Sequence, residues 1–519
     1  MLTREETPLS SLATRIWVPA AVCLGILTIA LLASPLFLHW FVIPLFGCGM
    51  LCCMDGIQLL ENRGRNLFDP VALLGVYGLY FFYVAPLLHV GLDYWFINAR
   101  FAPTDRPEDW RTWLGWMGMI NLLGLAIYRA CHKHFAKAGM NPRRRTVYQF
   151  QMAALRFYAF PMLALALVLQ VYIYARFGGI GGFVDTYARS NRGVEVGFTG
   201  LGWLFCVAES FPVLLVVFLV AVYRTGLRNI SMLKLIVMLG MLTIITLLFG
   251  GLRGSRSNTV IALLYAVGIV HVMVRRLSWR FFAIGGAGFV VFMYLYGFYK
   301  VSPQAFATAL TSSDARAVIE QRSGRSLETV LLGDLERADT QAYLLYRMTQ
   351  SGANEIQYAW GETYVDGMLS LVPRAILSYR PPGKLKYGTD AFFGQGAYSP
   401  GRFSSSKVYG LAGETMLNFG PYGVPLAFFA FGMVVGLLRG FSRRIEPSDS
   451  RQYVLPILSL LCVLALSSDL DNIMFAFLEH ALLPGILIWF ASSKRAYAVR
   501  SVLVRNLQEG IVSTTPMSG

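Results

Sequence analysis

Apolar runs of about twenty residues recur from Ile16 to Ala491 with brief polar interruptions, and this repetition leaves the chain few folds. At 1.5 Å of rise per residue, each run is long enough to cross a ~30 Å hydrocarbon core as a helix. In lipid every backbone N–H and C=O must find its partner within the helix or in a closed barrel. The runs lack the polar–apolar alternation of barrel strands, so helices remain. The expected fold is all-α: a polytopic transmembrane bundle of about 12 spans with one large, partly helical loop. The spans are predicted at 16–33, 36–58, 68–90, 110–130, 152–174, 201–223, 233–250, 258–274, 281–299, 420–438, 453–468 and 473–491. With 55% of residues hydrophobic and 14% charged, polar surface is too scarce for a soluble protein of 519 residues. The first apolar stretch, Trp17–Leu38, is too long for the core of a signal peptide, so no cleavable signal is expected.

Charge supplies an orientation. Basic residues gather in alternate connections, among them Arg129, Lys133, Arg143, Arg144, Arg145, Arg224, Arg228, Arg275, Arg276, Arg439, Arg443 and Arg444, whereas the other short connections hold few. Positive loops stay on the cytoplasmic side, so both termini are expected in the cytoplasm, with the chain in a bacterial inner membrane. The net charge of +16 then belongs to these loops, and no nucleic-acid partner is expected. The seven cysteines lie in spans or at a span end, which offers neither a disulfide framework nor a metal-binding pair.

Three regions follow: a membrane domain over 1–299, a large outer loop over 300–419, and a last membrane segment with a cytoplasmic tail over 420–519. The loop is too rich in apolar periodicity for a disordered tail. Leu327–Met348 and Gly361–Leu377 have helical spacing, and a Gly-, Pro- and Tyr-rich stretch from Ser378 to Gly410 reads as irregular.

Candidate chemistry lies on the outer side. Arg253 and Arg256 sit in GLRGSRS (251–257), where glycines and serines let backbone N–H groups approach an anion. Arg374, Arg380 and Arg402 in the large loop, with Lys384 and Lys386, and Arg189 and Arg192 after the fifth span, extend the cationic set. Guanidinium groups match pyrophosphate oxygens two at a time. Glu414 in GLAGETMLNFG and Asp366 on the second loop helix are the carboxylates proposed for general-base catalysis, with Glu362, Asp469 and Asp471 nearby in kind. Glu209, Glu479 and His480 fall inside spans, where ionisable groups are costly and therefore functional candidates. Lys407 reads as a bland surface cation. Phosphate-loop, dinucleotide-binding and HExxH patterns are missing, and no cofactor or metal is expected.

Several phrases resemble the oligosaccharide repeat-unit polymerases of bacterial surface polysaccharide assembly (Wzy-type O-antigen and exopolysaccharide polymerases). They are NLFDPVALLGVYGLYFFYVAPLL (66–88), GGIGGFVDTYARS (178–190), GLRGSRSNTVIALL (251–264), LSLVPRAILSYRPP (369–382) and GLAGETMLNFGPYGVPLAFFAFG (410–432). The resemblance implies a metal-independent glycosyltransferase at the periplasmic face, which moves a growing glycan from undecaprenyl pyrophosphate onto the next lipid-linked repeat unit. It further implies a flippase and a chain-length regulator as partners, beside the lipid bilayer. Some members carry an Arg, ten residues and a Gly in two outer loops, and Arg189–Gly200, Arg402–Gly413 and Arg322–Gly333 share that spacing. Two rivals stand beside this reading. An O-antigen ligase would be expected to place a histidine in the large loop, and 300–419 holds none. A transporter or flippase of twelve spans would be expected to divide into two six-span halves, and no such repeat is visible.

Overall fold

The computed structural model describes residues 8–57, 67–95, 106–138, 146–191, 201–324, 326–350, 355–370, 372, 376–377, 379–400, 402–404 and 407–495. The protein is an all-α polytopic bundle. Among the described residues, 11 helices are long and apolar enough to cross a membrane. In chain order the helices begin with α1 Pro8–Ala33, α2 Val42–Gly56, α3 Pro70–Gly91, α4 Trp110–Ala138, α5 Met152–Arg176 and α6 Gly179–Asn191. They continue with α7 Gly202–Arg228, α8 Met232–Phe249, α9 Arg256–Val274 and α10 Trp279–Val301. Six helices occupy the large loop: α11 Pro303–Thr311, α12 Ser313–Ser323, α13 Ala338–Arg347, α14 Glu362–Leu369, α15 Lys384–Phe393 and α16 Gly410–Phe419. Three more close the bundle: α17 Val424–Arg444, α18 Leu455–Ser467 and α19 Leu470–Ala491. The expected span 36–58 is the short member, a 15-residue helix (α2) that follows a tight turn at Pro35–Phe37.

Local sequence explains where these helices start and bend. Asp69 caps α3 by accepting the N–H groups of Val71 and Ala72, with Pro70 at the first helical position, where no intrahelical donor is lost. Pro212 and Pro484 lack the N–H that would bond the carbonyl four residues back. Accordingly α7 breaks at Ser210, and α19 loosens into a π-turn over Leu478–Leu482. Glu209 and Glu479 sit at these two irregularities.

Segment ends that alternate in sequence collect on two opposite faces. On one, Asp55 meets Arg129 (3.3 Å) and His132 (3.5 Å), and Asp69 meets Arg439 (3.2 Å). There β1 (Val147–Phe150) pairs antiparallel with β2 (Ser492–Arg495). On the other, the loop face, His89 meets Glu336 (2.8 Å) and Arg256 meets Asp334 (2.6 Å). Helices α4 and α17 approach backbone to backbone along Gly432, Gly436 and Gly440. A Cβ at Gly432 or Gly436 would lie 2.8 Å from the carbonyl of Tyr128 or His132. Small residues at four-residue spacing allow this closeness in a membrane bundle.

The large loop is continuous with the bundle core. Ala342, Tyr343 and Leu344 of α13, Phe392 of α15 and Ala412 of α16 share one buried cluster with Phe81, Phe82 and Phe428. The single helix expected over Leu327–Met348 is broken between Asp334 and Ala338. Tyr80 and Tyr77 of α3 donate to the carbonyls of Leu331 (2.6 Å) and Leu335 (2.8 Å), and so supply hydrogen bonds that a continuing helix would otherwise provide.

Candidate functional site

Four elements converge on the loop face: α14, the start of α15, α16 and the start of α19. Helix α14 touches α19 at Gly367, where a Cβ would lie 3.1 Å from the Asp471 nitrogen. The Pro381–Pro382–Gly383 segment delivers α15, and Gly383 lets it close on Asp366, whose carboxylate oxygen lies 2.2 Å from where a Cβ on Gly383 would be. Lys384 then reaches between Asp469 (2.9 Å) and Asp471 (2.8 Å). The other oxygen of Asp469 accepts the backbone N–H groups of Tyr409 (2.8 Å) and Gly410 (2.9 Å). Gly410 takes a positive φ of 70° to present its N–H there.

Glu414 lies beneath this group and is buried. One of its oxygens accepts the Thr363 hydroxyl (3.0 Å) and the other the Leu470 N–H (2.7 Å). Asn418 completes the set by donating to Thr363 (2.6 Å). Burial, followed by the charge of Asp469, pushes the Glu414 carboxyl up to about 8. Burial also raises Asp469, although Lys384 opposes it. Burial works against a charged Lys384, but the two aspartates outweigh it and hold the amine above its usual range.

A stability signature follows from Glu414. The folded state binds its proton more tightly than the unfolded chain, whose carboxyl titrates near 4.5. Stability should therefore fall as pH rises between those values and about 8. The melting midpoint of the purified protein is expected to drop over this window. Glu414→Gln, which mimics the protonated form, should flatten that slope, and an unchanged slope would remove Glu414 from the account.

Beside α15 lies a cavity of about 190 Å³ lined by Gln357, Lys386, Tyr387, Asp390 and Gln395 together with Ile356 and Ala391. Tyr387 donates to Glu362 (2.5 Å), and burial and this carboxylate push its phenol up to about 12. Below it, α19 leads to a second cluster. Glu479 lies ten residues from Asp469, ~15 Å along the helix axis. Arg253 holds Glu209 with two bonds (2.9 and 3.0 Å), reaches Glu479 at 3.5 Å and lies 4.6 Å over the Phe205 ring. Asn258 donates to the same Glu209 (2.5 Å).

Glu414 and Asp366 thus belong to one cluster, where Glu414 is enclosed and Asp366 half-buried. The arginines take separate partners. Arg253 faces Glu209 and Glu479, Arg256 holds Asp334 with two bonds (2.6 and 2.7 Å), and Arg380 donates to the Val372 carbonyl. Arg402 is exposed on the Ser399–Phe403 turn, and Arg189 is exposed on α6. Arg374 and Arg192 lie outside the described residues. Lys407 is more than a bland surface cation, because its ammonium sits 4.0 Å over the Phe392 ring and burial lowers it to about 8.

Thr363, Asn418, Gln357 and Asp390 escaped the sequence reading. Asp390 was hidden because 378–410 reads as irregular. The Pro-Pro-Gly start signal and the Tyr387/Asp390 spacing on one helix face could have revealed α15. No family model, curated protein or solved structure matches the chain.

Proposed function

We propose that the protein is a membrane glycosyltransferase that polymerises lipid-pyrophosphate-linked oligosaccharide repeat units at the periplasmic side, the side of the large loop. The observation that carries this reading is the cavity beside α15, the helix whose first residue, Lys384, bonds Asp469 and Asp471. Its volume corresponds to about six waters at ~30 Å³ each, the scale of a sugar ring. Two amides, a carboxylate, a lysine and a tyrosine suit a hydroxyl-rich ligand. Asp366, half-buried beside Gly383, and Asp390 in the cavity wall are the carboxylates placed to orient or deprotonate an attacking hydroxyl. Arg253, Arg402 and Arg189 are the cations proposed for the departing lipid pyrophosphate. For Arg253 this requires that phosphate displace its Glu479 contact, the longest of its bonds.

Deleting the gene is expected to leave single repeat units on the lipid carrier or on the final acceptor, with flipping intact. An unchanged polymer ladder overturns the reading. A transporter is the second reading, and the Glu209–Arg253–Glu479 cluster within the spans favours it, since such clusters mark ion and proton paths. It expects repeat units trapped in the inner leaflet instead.

A further inference from the structure

We infer that a groove between α7, α8 and α9, opening on the arginine-rich face, binds an acyl chain of an anionic glycerophospholipid whose phosphate rests at Arg224 and Arg275. The groove is independent of the loop-face site, which is built from α14, α15, α16 and the start of α19. It encloses about 310 Å³, and every lining residue but Arg275 is apolar, including Leu215, Leu219, Leu239, Leu242 and Val270.

Its shape follows from the backbone. Beyond its break at Ser210, α7 is helical from Phe211 but turns non-helical at Tyr223 (φ −107°, ψ 17°), so its last turn departs from the course of the preceding helix. α9 ends in a π-turn, after which Arg275 is extended (φ −155°, ψ 148°). Two guanidiniums then tie the mouth together. Arg224 donates to the Met273 carbonyl (2.6 Å), and Arg275 donates to the Ile230 carbonyl (2.9 Å). Both cations are therefore held in place at the polar end of an otherwise apolar channel.

Charge selects the headgroup. No Asp or Glu occurs between Glu209 and Asp314, so the chain from Ser210 through α10 places Arg224, Arg228, Lys234, Arg275, Arg276 and Arg280 at this face and no carboxylate. Among the described residues, Asp55, Asp69 and Asp449 of the same face are engaged by Arg129, Arg439 and Arg451, and Glu446 in the connection after α17 is likewise engaged. A lipid phosphate supplies the missing counter-charge, and a zwitterionic headgroup supplies it only in part. Depth selects the tail. On α8 the lining runs from Leu235 to Ile245, ~15 Å of helix, which is half of a ~30 Å core. That matches the acyl chain of one leaflet and is too short for a polyprenyl tail.

Native mass spectrometry of the full-length protein, with dioleoyl phosphatidylglycerol or dioleoyl phosphatidylcholine added at equal concentration, tests the site. Phosphatidylglycerol adducts are expected to survive activation that strips phosphatidylcholine. Arg224→Gln with Arg275→Gln should weaken phosphatidylglycerol binding at least about tenfold. Leu239→Trp, which fills the groove, should do the same at unchanged charge. Lysine at both arginine positions should retain most of the binding, which separates loss of charge from loss of fold. Equal retention of the two lipids, phosphatidylglycerol binding that survives both the glutamine pair and Leu239→Trp, or displacement by undecaprenyl phosphate at equal concentration would each overturn the assignment.

Discussion

Lys384→Met is expected to cost about 3–5 kcal/mol, because it leaves Asp469 fully buried without its cation. The loss should appear as a large fall in the temperature at which the purified protein stays monodisperse. Polymer formation should disappear with it, since this one ammonium ties the start of α15 to the start of α19. Adding Asp469→Asn should recover much of the stability. An asparagine oxygen can still accept the Tyr409 and Gly410 N–H groups, and no buried charge remains. A double-mutant cycle over the two sites should therefore show strong coupling. If Lys384→Met melts like the wild type, the lysine bridge does not hold the junction.

Arg253→Ala should be comparably severe, at about 3–5 kcal/mol, because Glu209 and Glu479 would face each other inside the spans without a cation. Lysine should restore only part, since a single ammonium cannot hold Glu209 through two parallel bonds and also reach Glu479. Arg256→Ala should cost less, because Asp334 keeps some access to solvent. The informative variant is Arg253→Ala with Glu209→Gln, which removes the stranded charge. Recovery of protein abundance without polymer would mean that the guanidinium acts on substrate. Recovery of both would make Arg253 a structural tie and remove it from the pyrophosphate proposal.

The all-helical membrane architecture was legible in the sequence because the cost of placing a residue in lipid is paid residue by residue and so shows in any window of the chain. The costly intramembrane groups, Glu209 and Glu479, were legible for the same reason. The close α4–α17 contact was legible in principle, since Gly432, Gly436 and Gly440 repeat every four residues, although that period was not used. The inner irregularities follow Pro212 and Pro484, which any reading of local backbone chemistry can anticipate.

Pairings were not legible. Lys384 and Asp469 stand 85 residues apart, Arg253 and Glu479 226 apart, and both arginines of the 251–257 hairpin looked equally suited to an anion. Which carboxylate reaches which guanidinium depends on how helices rotate and slide when the whole bundle packs, and no local window carries that information. The sequence by itself determined that the chain folds as a bundle of apolar helices and which residues are expensive within them, although about 12 spans were expected and 11 described helices are long and apolar enough to cross a membrane. Only the tertiary structure decided that the large loop joins the core, that Glu414 is enclosed while Asp366 is half-buried and Asp390 lines a cavity, and that Arg253 and Arg256 answer to different acids, because each of these is a contact between surfaces brought together by folding.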